Sequence, residues 1–168
     1  MIMFSDLDNT SLKTLLDFQE TIKENEPVDS YNYWTLDEQK LEEIFQHGGC
    51  VGAFNPQLVA FSSYVTSGLE EKFSSISNAS IQSLDLSSSG YISFILVDHG
   101  ARGQGLQNRL IERVEDRLTI KKKSQSLLCV HKDNVISKEN VELLGYSFFT
   151  QITSDSGDYI IDMYKKEL

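Results

Sequence analysis

The chain has 168 residues, 40% of them hydrophobic and 24% charged, which sets the expectation of one soluble globular domain over residues 1–168. No apolar run reaches the roughly 18 residues of a membrane span, and the start, MIMFSDLDNT, lacks the basic-then-apolar order of a secretory leader, so the expected compartment is the cytoplasm, with no membrane partner. The formal charge of −10 repels a phosphate backbone and argues against nucleic acid as a partner.

Residues 2–4 are a short apolar run that fits an opening strand. In SLKTLLDFQETIKE the apolar residues Leu12, Leu15, Leu16, Phe18 and Ile22 recur near helical spacing, which predicts a first amphipathic helix. Pro27, Asp29, Ser30 and Asn32 then mark a loop. In TLDEQKLEEIFQ, Thr35 and Glu38 have the spacing of a capping box and predict a second helix, stopped by Gly48 and Gly49. Two apolar runs around Asn55-Pro56 read as a hairpin with arms 51–54 and 58–65. Eight of the sixteen residues from Ser74 to Ser89 are serine, which makes a polar connector with at most a weak helix.

YISFILVD reads as a central strand. After it comes HGARGQG and then a helix with Leu106, Leu110, Val114 and Leu118 on one face, closed by Lys121 to Lys123 where cations suit the dipole. SLLCVH is another buried strand. SKENVELLGY is a short helix stopped by Gly145, with Ser137 a candidate N-cap. YSFFTQI and DYIIDMYKK pair around the turn SDSGD. Cys50 and Cys129 sit in apolar runs and read as buried, reduced thiols. The order β-α-α-β-β-β-α-β-α-β-β predicts a mixed α/β sheet.

The glycine cluster admits three chemistries. A Walker loop needs a Gly-Lys pair, and the chain has none. A dinucleotide fingerprint starting at Gly103 needs a small residue at 108, where Asn108 stands, and belongs on a first βα unit rather than past mid-chain. The third follows from position. A strand running into a glycine-rich turn that opens a helix presents the amides of Arg102 to Gln107 at the positive end of the helix dipole, and glycines let a diphosphate approach the backbone. Such a nest needs no metal. No spacing of His, Cys, Asp and Glu suggests a metal site.

These residues carry a resemblance. ILVDHGARGQGLQNRLI resembles the acyl-CoA binding motif of the GNAT superfamily of N-acyltransferases, Val-x-Pro-x-x-Arg/Gln-x-x-Gly-x-Gly/Ala, with Val97, Arg102 and Gly105 in place, His99 for the proline and Gln107 for the last small residue. VHKDNVISKENVELLGY is similar to the later motif of that family, with Asn134, Ser137, Leu144, Gly145 and Tyr146 at its positions. The opening half also looks like the start of that family, so the likeness covers essentially the whole chain.

The resemblance implies a GNAT fold, a twisted, mixed but mostly antiparallel sheet of six to seven strands flanked by about four helices. It implies acetyl-CoA as co-substrate, a primary amine as acceptor and direct attack. Backbone at Ile95, Leu96 and Val97, the loop Arg102, Gly103, Gln104, Gly105, Leu106 and Gln107, and the side chains of Asn134, Ser137 and Asn140 would hold CoA. An amide near Val97 would stabilise the oxyanion. His131 is the candidate proton acceptor and Ser137 a candidate aid to the departing thiolate. Many relatives use a tyrosine seven residues after the asparagine, and here Val141 stands there.

Charge adds a hint about the acceptor. Residues 1–100 carry fifteen Asp/Glu against four Lys/Arg, while 101–168 carry ten against eleven. That suits a cationic acceptor meeting an anionic co-substrate, and equally serves solubility. Two alternatives stay open, a non-catalytic acyl-CoA binding module and a nucleotide or phosphate binder outside the family. A homodimer is also left open.

Overall fold

The computed structural model describes residues 1–25, 35–153 and 160–168. The predicted loop at Pro27 to Asn32 and the SDSGD turn lie outside the described residues. The strands are β1 (Met3–Leu7), β2 (Gly48–Phe54), β3 (Leu58–Val65), β4 (Ser89–Val97), β5 (Gln125–His131), β6 (Ser147–Thr153) and β7 (Ile160–Glu167). The helices are α1 (Leu12–Asn25), α2 (Glu38–His47), α3 (Leu69–Lys72), α4 (Ala79–Gln82), α5 (Leu106–Ile120) and α6 (Val135–Leu143). The seven strands form one sheet in the order β1-β2-β3-β4-β5-β7-β6. Pairing is antiparallel for β1 with β2, β5 with β7 and β6 with β7, and parallel for β4 with β5. The one-turn helices α3 and α4 fall in and before the serine-rich connector, because Asn78 caps α4 through its side chain, accepting from the amides of Ser80 and Ile81.

The chain divides into two compact units, Met1–Tyr64 with Phe94–Val114 and Val65–Ser93 with Glu115–Leu168. In the first, α1 buries Leu15 and Ile22 and α2 buries Leu41 and Ile44, the periodic apolar positions of each helix. Phe61 of β3 is fully buried between Phe18 of α1 and Phe94 of β4, with ring centroids 6.1 and 5.5 Å away. Helix α2 is capped by Asp37, whose carboxylate accepts from Lys40 N at 2.8 Å, and not by Thr35. Asp37 directly precedes the first helical residue, and a carboxylate there also suits the helix dipole. Buried Gln19 of α1 grips both backbone groups of Leu36, donating to its carbonyl at 3.1 Å and accepting from its amide at 2.7 Å.

In the second unit, β4 begins at Ser89 and lies in register with β5 over Ser89–Ile92 against Gln125–Leu128. Gly90 is required there, since a Cβ would come within 2.3 Å of Leu118. Helix α6 faces a polar row on β7. Lys138 pairs with buried Asp162, which also accepts from Gln151 Nε2 at 2.8 Å, and Tyr164 donates to Glu142 at 3.3 Å. Further along β7, Lys166 pairs with Glu115 of α5 at 2.8 Å.

Two helix ends are built alike. After α6, Gly145 (φ +88) sits in the left-handed region, its amide bonded to Glu142 O at 2.9 Å and the Tyr146 amide to Val141 O at 3.1 Å. This is a Schellman motif with the expected glycine at C′. After α5 the same pair of bonds runs from Lys122 to Thr119 O (2.9 Å) and from Lys123 to Leu118 O (3.0 Å), but the left-handed residue is Lys122 (φ 60). Of the three closing lysines, Lys123 reaches the Ser87 carbonyl at 2.6 Å.

Candidate active site

The first unit gathers Ile95, Leu96, Val97 and the loop 102–107 on one strand–turn–helix corner. Strand β4 ends at Val97, a 3₁₀ turn spans His99–Ala101, and α5 starts at Leu106. The Asp98 amide is given to Val59 O of β3 at 2.8 Å, which fixes where the strand stops. Ala101 and Leu106 are buried and hold the turn down, while Arg102, Gly103, Gln104 and Gly105 between them are exposed. Both glycines have positive φ, +75 at Gly103 and +68 at Gly105, and, chain neighbours apart, no described residue comes within 4 Å of the place a Cβ would take at either. The turn therefore needs glycine for its backbone, and its outer side is open.

The first helical bond of α5 runs from Arg109 N to Gly105 O at 3.1 Å. The amides of Leu106, Gln107 and Asn108 come before it, at the positive end of a helix of 15 residues. Asn108 adds a feature that sequence reasoning missed, because its side-chain Oδ1 is buried with no hydrogen-bond donor among the described residues. The sequence signal was a polar residue in the first turn of an otherwise apolar-faced helix. Arg102 folds back over the corner, with Nε 3.4 Å from Val97 O and Nη1 3.5 Å from His99 Nδ1.

The second unit gathers His131, Asn134, Ser137 and Asn140 where β5 gives way to α6. Asn134 is the N-cap of α6, its Oδ1 accepting from Ser137 N at 3.1 Å. Ser137 is thus the third helical residue and not the cap, because the longer asparagine side chain at 134 already reaches its amide. The Nδ2 group of Asn134 and the hydroxyl of Ser137 make no hydrogen bond among the described residues, and both residues are half-buried. His131 Nδ1 accepts from Asp133 N at 3.2 Å, so the neutral ring carries its proton on Nε2.

Val141 is 1% exposed, a core residue of α6. Two tyrosines of this unit are engaged elsewhere. Tyr146 donates to Ser126 at 2.7 Å, and its burial pushes its pKa up. Tyr164 is pushed up to about 12, by burial first and then by the Glu142 carboxylate. Burial likewise raises the thiols, Cys50 to about 12 and Cys129 to about 11, so neither is poised as a nucleophile. Among the described residues no group of His, Cys, Asp and Glu could hold a metal ion, and no helix is long and apolar enough to cross a membrane.

No protein-family model and no curated protein matches the chain. Solved structures do. The polyamine N-acetyltransferase of Drosophila melanogaster, which forms N-acetylagmatine, superposes with a TM-score of 0.74 at 16% identity over 100% of both chains. The ribosomal-protein-S18-alanine N-acetyltransferase of Escherichia coli gives 0.70 at 16% identity, over 99% of this chain and 94% of that one. An N-acetyltransferase of Staphylococcus aureus gives 0.68 at 12% identity, over 99% and 98%. The chain has the GNAT fold. Within the GNAT fold, its departures at His99, Gln107 and Val141 fall at the turn, the first turn of α5 and the core face of α6.

Proposed function

We propose that this chain is an acetyl-CoA-dependent N-acetyltransferase, a single cytoplasmic domain over residues 1–168 that transfers an acetyl group to a primary amine by direct attack. The observation that carries this reading is the corner from β4 to α5. Two left-handed glycines leave a turn where, chain neighbours apart, no described residue comes within 4 Å of either Cβ position, ahead of three helix-start amides, and that is a cradle a diphosphate fits.

In this reading Gly103, Gln104, Gly105, Leu106 and Gln107 hold the diphosphate of CoA, with the Arg102 guanidinium beside it. The backbone of Ile95, Leu96 and Val97 lies beyond Ile92, where the ladder with β5 ends, and is assigned to the pantetheine arm. Acetyl-CoA, when bound, supplies the acetyl group as an activated thioester. The chain contributes a backbone donor at Val97 aimed where oxyanion charge develops, and holds the partners in attack geometry.

His131 is the proposed proton acceptor. To act as one it presents a bare nitrogen, which requires Nδ1 to give up the Asp133 amide. Ser137, with its hydroxyl uncommitted, is the proposed aid to the thiolate. A cationic small-molecule or peptide amine is the proposed acceptor, supported by the acidic residues of 1–100 and by the polyamine enzyme among the structural neighbours.

Val141 favours one second reading, a non-catalytic acyl-CoA binding module. Incubation with acetyl-CoA and a panel of primary amines separates the two by release of free CoA thiol. Turnover with any amine supports the transferase. Tight acetyl-CoA binding without turnover across the panel favours the module. Thermal stabilisation by ATP but not by acetyl-CoA overturns both.

A further inference from the structure

We infer that His99 is a positioning residue that makes the grip on the diphosphate proton-linked, by holding Arg102 back when neutral and releasing it when protonated. This rests on the assignment of CoA to the β4–α5 corner. The guanidinium of Arg102 is turned onto its own turn, with Nε toward the Val97 carbonyl (3.4 Å) and Nη1 toward His99 Nδ1 (3.5 Å). A guanidinium has five donors and no acceptor, so this contact exists only while His99 Nδ1 keeps its lone pair. Protonation puts N–H on both ring nitrogens. The contact then changes from a hydrogen bond to two cations side by side.

Two charged side chains flank His99 in the chain. Asp98 precedes His99, with Oδ2 3.4 Å from where a Cβ of Gly100 would lie. Arg102 follows it, exposed like His99 itself. The strand against the corner, β3, meets it with the uncharged Val59 carbonyl. Protonated His99 and displaced Arg102 then both stand beside the glycine turn, and an anion there favours both changes. By reciprocity, protonation tightens the anion and the anion promotes protonation. A proline at position 99, as in the resembled motif, has no such group to titrate.

The test uses dephospho-CoA, which keeps the diphosphate but lacks the 3′-phosphate monoester that would itself titrate in this range. Its Kd is measured for the full chain near pH 8 and near pH 6, on either side of the usual histidine pKa of about 6.5. The parent should bind about fivefold more tightly at the lower pH, the size of one near-aqueous contact between unit charges. His99→Asn keeps an acceptor that does not titrate, and His99→Pro removes it. Both should bind with little pH dependence. Parallel profiles for parent and both variants, or a flat profile for the parent, overturn the inference and leave the CoA site standing. No binding by any of the three at either pH instead overturns the CoA assignment.

Discussion

Gly105 is the position at which the proposed site can be separated from the fold. Its φ of +68 lies in the left-handed region, and, chain neighbours apart, no described residue comes within 4 Å of the place of its missing Cβ. A Cβ added there meets no described residue beyond its chain neighbours, so the cost to the fold is backbone strain. For a typical L-residue that strain is about 1–2 kcal/mol, and more for β-branched valine, while asparagine visits this region routinely. Gly105→Asn should lower the melting temperature by no more than about 2–4 °C, the shift that 1 kcal/mol makes in a chain of this size. Its side chain, however, projects into the open side of the turn where a diphosphate oxygen would sit. Losing one charge-assisted hydrogen bond costs about 1.5–3 kcal/mol, roughly 10- to 150-fold in affinity. Far-UV circular dichroism and thermal melts without ligand report the fold, and calorimetric titration with acetyl-CoA reports the site. Gly105→Asn with a native melt and unchanged acetyl-CoA affinity would refute the assignment of the diphosphate to this turn.

Three more outcomes are expected. Asn134→Ala removes the α6 cap and should cost about 1 kcal/mol in urea denaturation, whereas Asn134→Asp keeps an acceptor for Ser137 N and should retain stability while losing the Nδ2 donor, so weaker acetyl-CoA binding by the aspartate variant separates cap from ligand contact. Lys122 holds φ 60 at the end of α5, so Lys122→Gly relieves left-handed strain and should raise stability by up to about 1 kcal/mol, read as a higher urea midpoint with unchanged slope. Cys50, Cys129 and Tyr164 have folded-state values raised to about 12, 11 and 12, so the folded chain keeps protons that the unfolded chain releases. The two thiols should leave stability level below about pH 8.5 and lower it above that by about 1.4 kcal/mol per pH unit each, with Tyr164 adding the same slope only above about pH 10, until each folded value is passed. A urea midpoint that stays constant from neutral pH to about pH 10 would count against those buried acids.

The elements that were legible in the sequence are those fixed by local chemistry. The apolar spacing of Leu106, Leu110, Val114 and Leu118 gave α5, since all four are buried on one face, and Gly145 gave the end of α6 because its backbone conformation is one glycine tolerates best. The caps were harder. Thr35 and Ser137 have capping chemistry, but Asp37 and Asn134 directly precede the first helical residue and take the amides of Lys40 and Ser137. The polar row on β7 was invisible, because Asp162 and Tyr164 find Lys138 and Glu142 across a distance in sequence that no short-range pattern encodes. The same holds for the fold of Arg102 onto His99, which depends on side-chain torsions inside an exposed turn.

The grip and the chemistry of the proposed transferase differ in legibility for a related reason. A diphosphate cradle is made of backbone amides, and what the sequence must supply is permission for the backbone to take that shape. Gly103 and Gly105 are that permission, and side chains around them can vary, as His99 and Gln107 do. Proton transfer needs one specific side chain at one place, and here the side chain at 141 is a valine with 1% of its surface exposed. Enlarging it to tyrosine would overpack the core face of α6 at a cost of about 1–3 kcal/mol, so this helix is built around a small residue at that point. A thiol whose ordinary pKa is about 8.5 is a tolerable leaving group near neutral pH without a dedicated acid. A valine at 141 therefore still leaves the proposed transfer a route to products, whereas replacing Gly103 or Gly105 would remove the backbone shape that the proposed grip needs.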